Sequence, residues 1–142
     1  MKYAMVAFGY MGKFVTQQKG KSSSMKKLVI VEPNPDVREM FRQAIEQTTN
    51  EKWEAVNVPR FSEARGTVED HLDARMVLVS LDAPTQRGGQ VAQEIKQAHP
   101  ELTVVLTSSV DGESLASKLG LDGFLPKLDF LSMREKILQL VA

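Results

Sequence analysis

The side chains able to do chemistry are few in kind. There is no cysteine among 142 residues, which removes thiolate catalysis, disulfides and cysteine-based zinc or iron–sulfur sites together. The two histidines, His71 and His99, lie far apart, and neither has a histidine or carboxylate at the spacing of a helical metal site. Asp70 is only adjacent to His71, and residues one apart on a helix do not face each other. Both histidines read as surface or helix-end residues. Gly88-Gly89 is followed by no Lys-Ser/Thr pair, so it reads as a turn into a helix and not as a phosphate-cradling loop. Asp111, Glu113 and Asp122 read as solvated helix-end charges, the first two placed to favour a helix dipole. Basic and acidic side chains number 18 each, so no net field draws in nucleic acid or anionic lipid. What remains are hydroxyls, carboxylates and amines, whose use depends on which of them the fold brings together.

The elements that must position them alternate between short β-branched runs and helical periodicity, the pattern of a parallel sheet covered by helices on both faces. Strands are expected at Leu28–Val31, Trp53–Val58, Met76–Leu81, Thr103–Thr107 and Gly123–Leu125. Helices are expected at Asp36–Gln47, Ser62–Leu72 with Ser62 as N-cap, Gly89–His99, Gly112–Leu119 and Leu131–Val141. The periodicity turns Val37, Met40, Phe41 and Ile45 of the first helix, and Val91, Ala92 and Ile95 of the third, toward a core. Trp53 is expected to pack at the start of its strand. Five βα units suit an α/β, flavodoxin-like doubly wound sheet of strand order 2-1-3-4-5, with ligands at the carboxyl ends of the strands. The serine- and glycine-rich stretch before Lys26 reads as a linker, giving residues 1–25 as an extension and 26–142 as the domain. Tyr3, Phe8, Tyr10, Met11 and Phe14 would make that extension either a partner-docking arm or an incidental tail. No run is long and apolar enough to cross a membrane, and the apolar start lacks a small-x-small cleavage site, so a cytoplasmic protein is expected.

Four strand-end stretches carry a resemblance: Val31-Glu32-Pro33-Asn34-Pro35-Asp36, Val77 through Gly88, Val105-Leu106-Thr107-Ser108, and Asp122-Gly123-Phe124-Leu125-Pro126-Lys127. In this order they resemble two-component response-regulator receiver domains over roughly residues 26–142. In that family two acids after the first strand hold Mg²⁺, and an aspartate ending the third accepts phosphate from a histidine kinase or a small phosphodonor. The resemblance makes Thr107 the switch hydroxyl, Ser108 the small residue after it, Lys127 the lysine that grips the phosphoryl group, and Phe124 the aromatic that rotates on activation. It also marks departures. Glu32 and Pro33 stand at the two acidic positions, and the family spacing to Pro84 and Gly88 puts Ser80 at the phosphoacceptor position. Mg²⁺ needs hard oxygen ligands, and a neutral serine hydroxyl without a base is a poor acceptor. Leu128 follows Lys127 where the family usually has a cis proline, so a trans bond is expected there.

These residues imply a degenerate pseudo-receiver: no enzyme and no cofactor, but a module that binds a protein partner or a second copy of itself. The surface expected to do so is formed by the fourth helix, fifth strand and closing helix, with Leu115, Leu119 and Phe130 as contact residues. The alternative is a non-standard phosphoreceiver. Asp82 lies two residues beyond Ser80, on the same side of an extended chain but roughly 6–7 Å along it. With Glu32 it would make a two-carboxylate Mg²⁺ site; otherwise it is a turn residue before Ala83-Pro84. A flavin- or nucleotide-binding enzyme is the remaining reading, and the absence of a Ser/Thr-rich loop after the first strand speaks against it.

Overall fold

The central strands are continuous apolar runs because both of their faces are covered. The computed structural model describes residues 25–81, 87–127 and 130–141, without the side chains of residues 130 and 132. Its strands are β1 (Lys26–Val31), β2 (Trp53–Val58), β3 (Met76–Ser80), β4 (Val104–Ser108) and β5 (Gly123–Pro126). All pairings are parallel, in the order β2-β1-β3-β4-β5. The helices are α1 (Pro35–Thr49), α2 (Ala64–Glu69), α3 (Arg87–Ala98), α4 (Glu113–Lys118) and α5 (Phe130–Val141). The doubly wound sheet expected from the sequence is the one observed.

Strand alternation sorts the core into two layers. Val29, Val31, Val77, Val79, Val104, Leu106 and Phe124 face α2, α3 and α4, where Val68, Ala92, Ile95 and Ala116 meet them. Leu28, Ile30, Met76, Leu78, Val105 and Leu125 face α1 and α5, against Phe41, Ile45, Met133 and Ile137. The α1 start is written locally: Asn34 Oδ1 accepts from the N–H groups of Asp36 (2.9 Å) and Val37 (3.4 Å), and Pro35 has no N–H to satisfy. Asn50, at φ 56°, ends the helix in the left-handed region that asparagine tolerates. Trp53 is buried at the start of β2, its indole N–H donating to Thr49 Oγ1 at 3.1 Å, as a core anchor should.

The second helix departs from expectation. Ser62 caps nothing: it lies inside a 3₁₀ turn, Phe61–Glu63, and α2 follows from Ala64 to Glu69. The cause is burial of Phe61, Ala64 and Val68, whose spacing draws the chain into the core one residue before Ser62. Asp122 is exposed, as expected of a solvated charge, but it is not free. Its Oδ2 accepts from Val104 N–H at 2.8 Å and from Lys96 Nζ at 2.9 Å, tying the end of α3 to the starts of β4 and β5.

Candidate functional site

On the α1/α5 side each apolar column of the sheet ends in a polar residue: Leu28-Ile30-Glu32, Met76-Leu78-Ser80, Val105-Thr107 and Leu125-Lys127. Ser80 pairs with Thr107, and the Val31↔Val79 pairing sets Glu32 beside Ser80, so three of the polar residues share one row. Lys127 lies two residues beyond Leu125, the register partner of Thr107, and its backbone N–H donates to Ser108 O at 2.9 Å. Its side chain therefore reaches back over the row.

The result is a closed network. Lys127 Nζ donates to Glu32 Oε1 at 2.8 Å and to Ser80 Oγ at 2.7 Å. Glu32 Oε2 accepts from the Asn34 N–H at 2.8 Å. Arg38 Nη1 donates to the carbonyls of Glu32 (2.7 Å) and Pro33 (3.4 Å), fixing the turn from β1 into α1. Glu32, Ser80 and Thr107 are buried, at 5%, 3% and 1% exposure. Burial by itself pushes the Glu32 carboxyl up, but the bonds from Lys127, Asn34 and the Ser80 hydroxyl, with the charge of Lys127, hold it below the usual carboxylate value. The glutamate is thus ionised, and its charge is answered by an ammonium group of the same chain.

The spacing from Ser80 to Gly88 has a steric meaning. A Cβ on Gly88 would stand 1.7 Å from the Ser80 carbonyl oxygen, so only glycine lets the first turn of α3 close over the end of β3. Next to it, Gly89 is packed by Leu119, Leu81 and Leu115. Leu115 and Leu119, expected as contact residues, are half-buried in this α3–α4 packing.

Ser108 and Phe124 stand on the other side of the sheet, since residues one apart on a strand face opposite ways. Ser108 Oγ accepts from Val110 N–H at 3.1 Å and tightens the turn after β4. Phe124, 5% exposed, lies against Leu106 and Gly112, where a Cβ would come within 2.8 Å of the ring. The structure thus joins Glu32, Ser80, Thr107 and Lys127, leaves Pro33 exposed at the rim, and puts Ser108 and Phe124 behind the sheet. Asp82, Pro84, Leu128 and the Phe130 side chain lie outside the described residues.

The described residues do not fit Mg²⁺. Both Glu32 oxygens are engaged, Pro33 offers no carboxylate and Ser80 only a neutral oxygen. Among the described residues there is no group of three or more His, Asp and Glu able to hold a metal ion. The histidines serve elsewhere: His71 Nδ1 lies 3.3 Å from Lys27 Nζ, and His99 Nε2 lies 3.1 Å from Glu69 Oε2.

A second feature lies on the surface expected from the fourth helix, fifth strand and closing helix, with a lining that the sequence analysis did not name. Between the turn after β4, β5 and α5 runs a groove whose upper part, of about 430 Å³, is lined by Val110, Asp111, Phe124, Pro126 and Lys136 among others. A lower part lined by Asp122, Gly123 and Leu140 shares Glu113, Phe124 and Lys136 with it. Val110 is 62% exposed, and Lys136 Nζ bridges to Glu113 at 2.8 Å across the groove. The sequence signal was available in Val110, an apolar residue in a polar loop.

Solved structures share this architecture. A CheY-like receiver domain from Methanospirillum hungatei JF-1 superposes with a TM-score of 0.67 at 16% identity, covering 83% of this chain and 94% of its own. The response regulator TrrA from Thermotoga maritima, solved with Mg²⁺ and BeF, gives 0.67 at 21% identity over 82% of this chain and 99% of its own. A CheY-like receiver domain from Methylobacillus flagellatus gives 0.65 at 22% identity over 84% and 100%. The fold is that of a response-regulator receiver. No protein-family profile matches the sequence, and no curated protein matches it. This chain thus shares the receiver fold with structures to which it is only 16–22% identical, and its Glu32, Ser80 and Lys127 meet at the carboxyl ends of the strands, where ligands bind in open α/β sheets.

Proposed function

We propose that this chain is a receiver-like module that acts by binding another protein, with no phosphorylation, cofactor or catalysis of its own. One observation carries the reading: the Lys127 ammonium group lies between Glu32 Oε1 and Ser80 Oγ, so the one buried carboxylate among the pocket's described residues is neutralised from within. A cation entering there has to compete with a covalently tethered one, and a phosphoryl group finds a hydroxyl with no free base among the described residues to activate it. The partner surface in this reading is the groove along β5 between α4 and α5, with Val110, Phe124 and Pro126 as its apolar floor. The reading places the protein in the cytoplasm, and the excess of acidic over basic side chains in residues 25–142 favours a protein partner over nucleic acid for this domain. Among the described residues no helix is long and apolar enough to cross a membrane.

The test is incubation with Mg²⁺ and acetyl phosphate, or Mg²⁺ and beryllofluoride, followed by intact mass and fluoride NMR. An unchanged mass and no bound fluoride signal are expected. A phosphoryl increment lost in Asp82→Asn would overturn the proposal in favour of an active receiver using Asp82 with Glu32 and Mg²⁺.

A further inference from the structure

Residues 1–24 contain four lysines and no acid, together with Tyr3, Phe8, Tyr10 and Phe14. Of 18 basic and 18 acidic side chains, 14 and 18 therefore belong to residues 25–142, a net charge of −4 against +4. The chain's zero net charge hides a basic, aromatic segment joined to an acidic domain. On that domain, the groove combines exposed apolar surface with Asp111 and Glu113 at its upper rim and Asp122 lower down, against one lining cation, Lys136. Glu113 is paired with Lys136 and Asp122 with Lys96, which leaves Asp111 as the rim acid without an ion-pair partner among the described residues. Apolar floor and acidic rim are the complement of an aromatic, lysine-bearing peptide.

The reach suffices. Thr16 through Ser24 spans about 30 Å when extended. The diagonal from the start of β1 to the top of β5, three strands away, is roughly 25 Å. That leaves the aromatic part of the segment to lie in the groove.

We propose that residues 1–15 dock in cis into the groove of Val110, Phe124 and Pro126, with their lysines toward Asp111, so that a partner must displace the chain's own N-terminal segment. This rests on the groove being the partner surface. Because the segment is covalently attached, even a weak contact is held at high effective concentration, and added salt weakens it.

The absence of cysteine makes the test clean. Ala4→Cys in the full chain is labelled with a nitroxide, and amide relaxation is read across the protein. Broadening is expected at Val110, Gly123, Phe124 and Lys136, and is expected to be lost in Val110→Asp and Asp111→Lys. Absent or evenly spread broadening overturns the proposal. So does groove broadening that survives both variants, or that arises only between a labelled chain and an isotope-enriched second copy. Transfer of the label to phosphatidylserine vesicles while the groove stays sharp overturns it in favour of a membrane surface. If the groove is empty of the segment yet Val110→Asp still abolishes binding of a purified partner, the docking falls and the partner surface stands.

Discussion

The two polar regions of the molecule solve opposite problems. The pocket at the top of the α1/α5 layer is closed: carboxylate, ammonium and hydroxyl meet one another, and Glu32 is 5% exposed. The groove beside β5 is open, with Val110 62% exposed and acids at its edge. Charges satisfied inside leave little to offer a ligand and are costly to break one partner at a time, whereas apolar surface left in water is available to a partner. Substitutions in the first region are therefore expected to read out as stability, and in the second as binding.

The largest effect is expected where the regions share a support. Gly88→Ala drives a Cβ into the Ser80 carbonyl, and α3 must leave both β3 and α4, so a loss beyond about 4 kcal/mol, seen as failure to give a cooperative urea transition, is expected. Lys127→Met comes next. It strands a buried carboxylate and is expected to cost roughly 3–5 kcal/mol by urea titration. Adding Glu32→Leu should recover a large part of that loss, and a double variant no more stable than Lys127→Met would mean that the pair is not coupled.

Acid should act on the same pair. The folded Glu32 carboxyl is held below its unfolded value, so in the window between the two the unfolded chain binds more protons. The stability contributed by this group is present above the unfolded value, about pH 4–5, and is lost as pH falls through the folded one. Glu32→Leu/Lys127→Met should flatten that part of the stability–pH curve. A smaller change, about 1 kcal/mol, is expected for Ser80→Ala, which removes one acceptor from Lys127 and leaves the ion pair intact. Val110→Asp should shift stability by no more than about 0.5 kcal/mol while abolishing partner binding. A large loss of stability there would erase the distinction between the two regions.

The sheet was legible because the strand runs and their order follow from alternation of β-branched and helical patterns. The Ser80–Gly88 spacing read in the sequence corresponds to a close backbone approach, since a Cβ on Gly88 would meet the Ser80 carbonyl. Other features depended on contacts far apart in sequence. Nothing local to Lys127 says that it turns back to Glu32, 95 residues away, or that Arg38 holds the carbonyls of Glu32 and Pro33. The pairing of the exposed Asp122 with Lys96 was hidden because the two are remote in the chain. Ser108 and Phe124 were separable from Thr107 and Lys127 by strand parity alone; their common place in a motif obscured the fact that they lie on the other face of the sheet.

Lys127 differs from a metal ion in one further respect: it cannot diffuse away. A bound cation leaves and returns at rates set by its concentration, and a chelator can strip it. A tethered ammonium group is present once per chain at every dilution, and the Lys127 side chain must leave Glu32 before the carboxylate can meet another cation. In the proposed reading the cation that answers Glu32 is supplied with the chain itself, and what this domain contributes to a cell is governed by how much of it is made and what it meets.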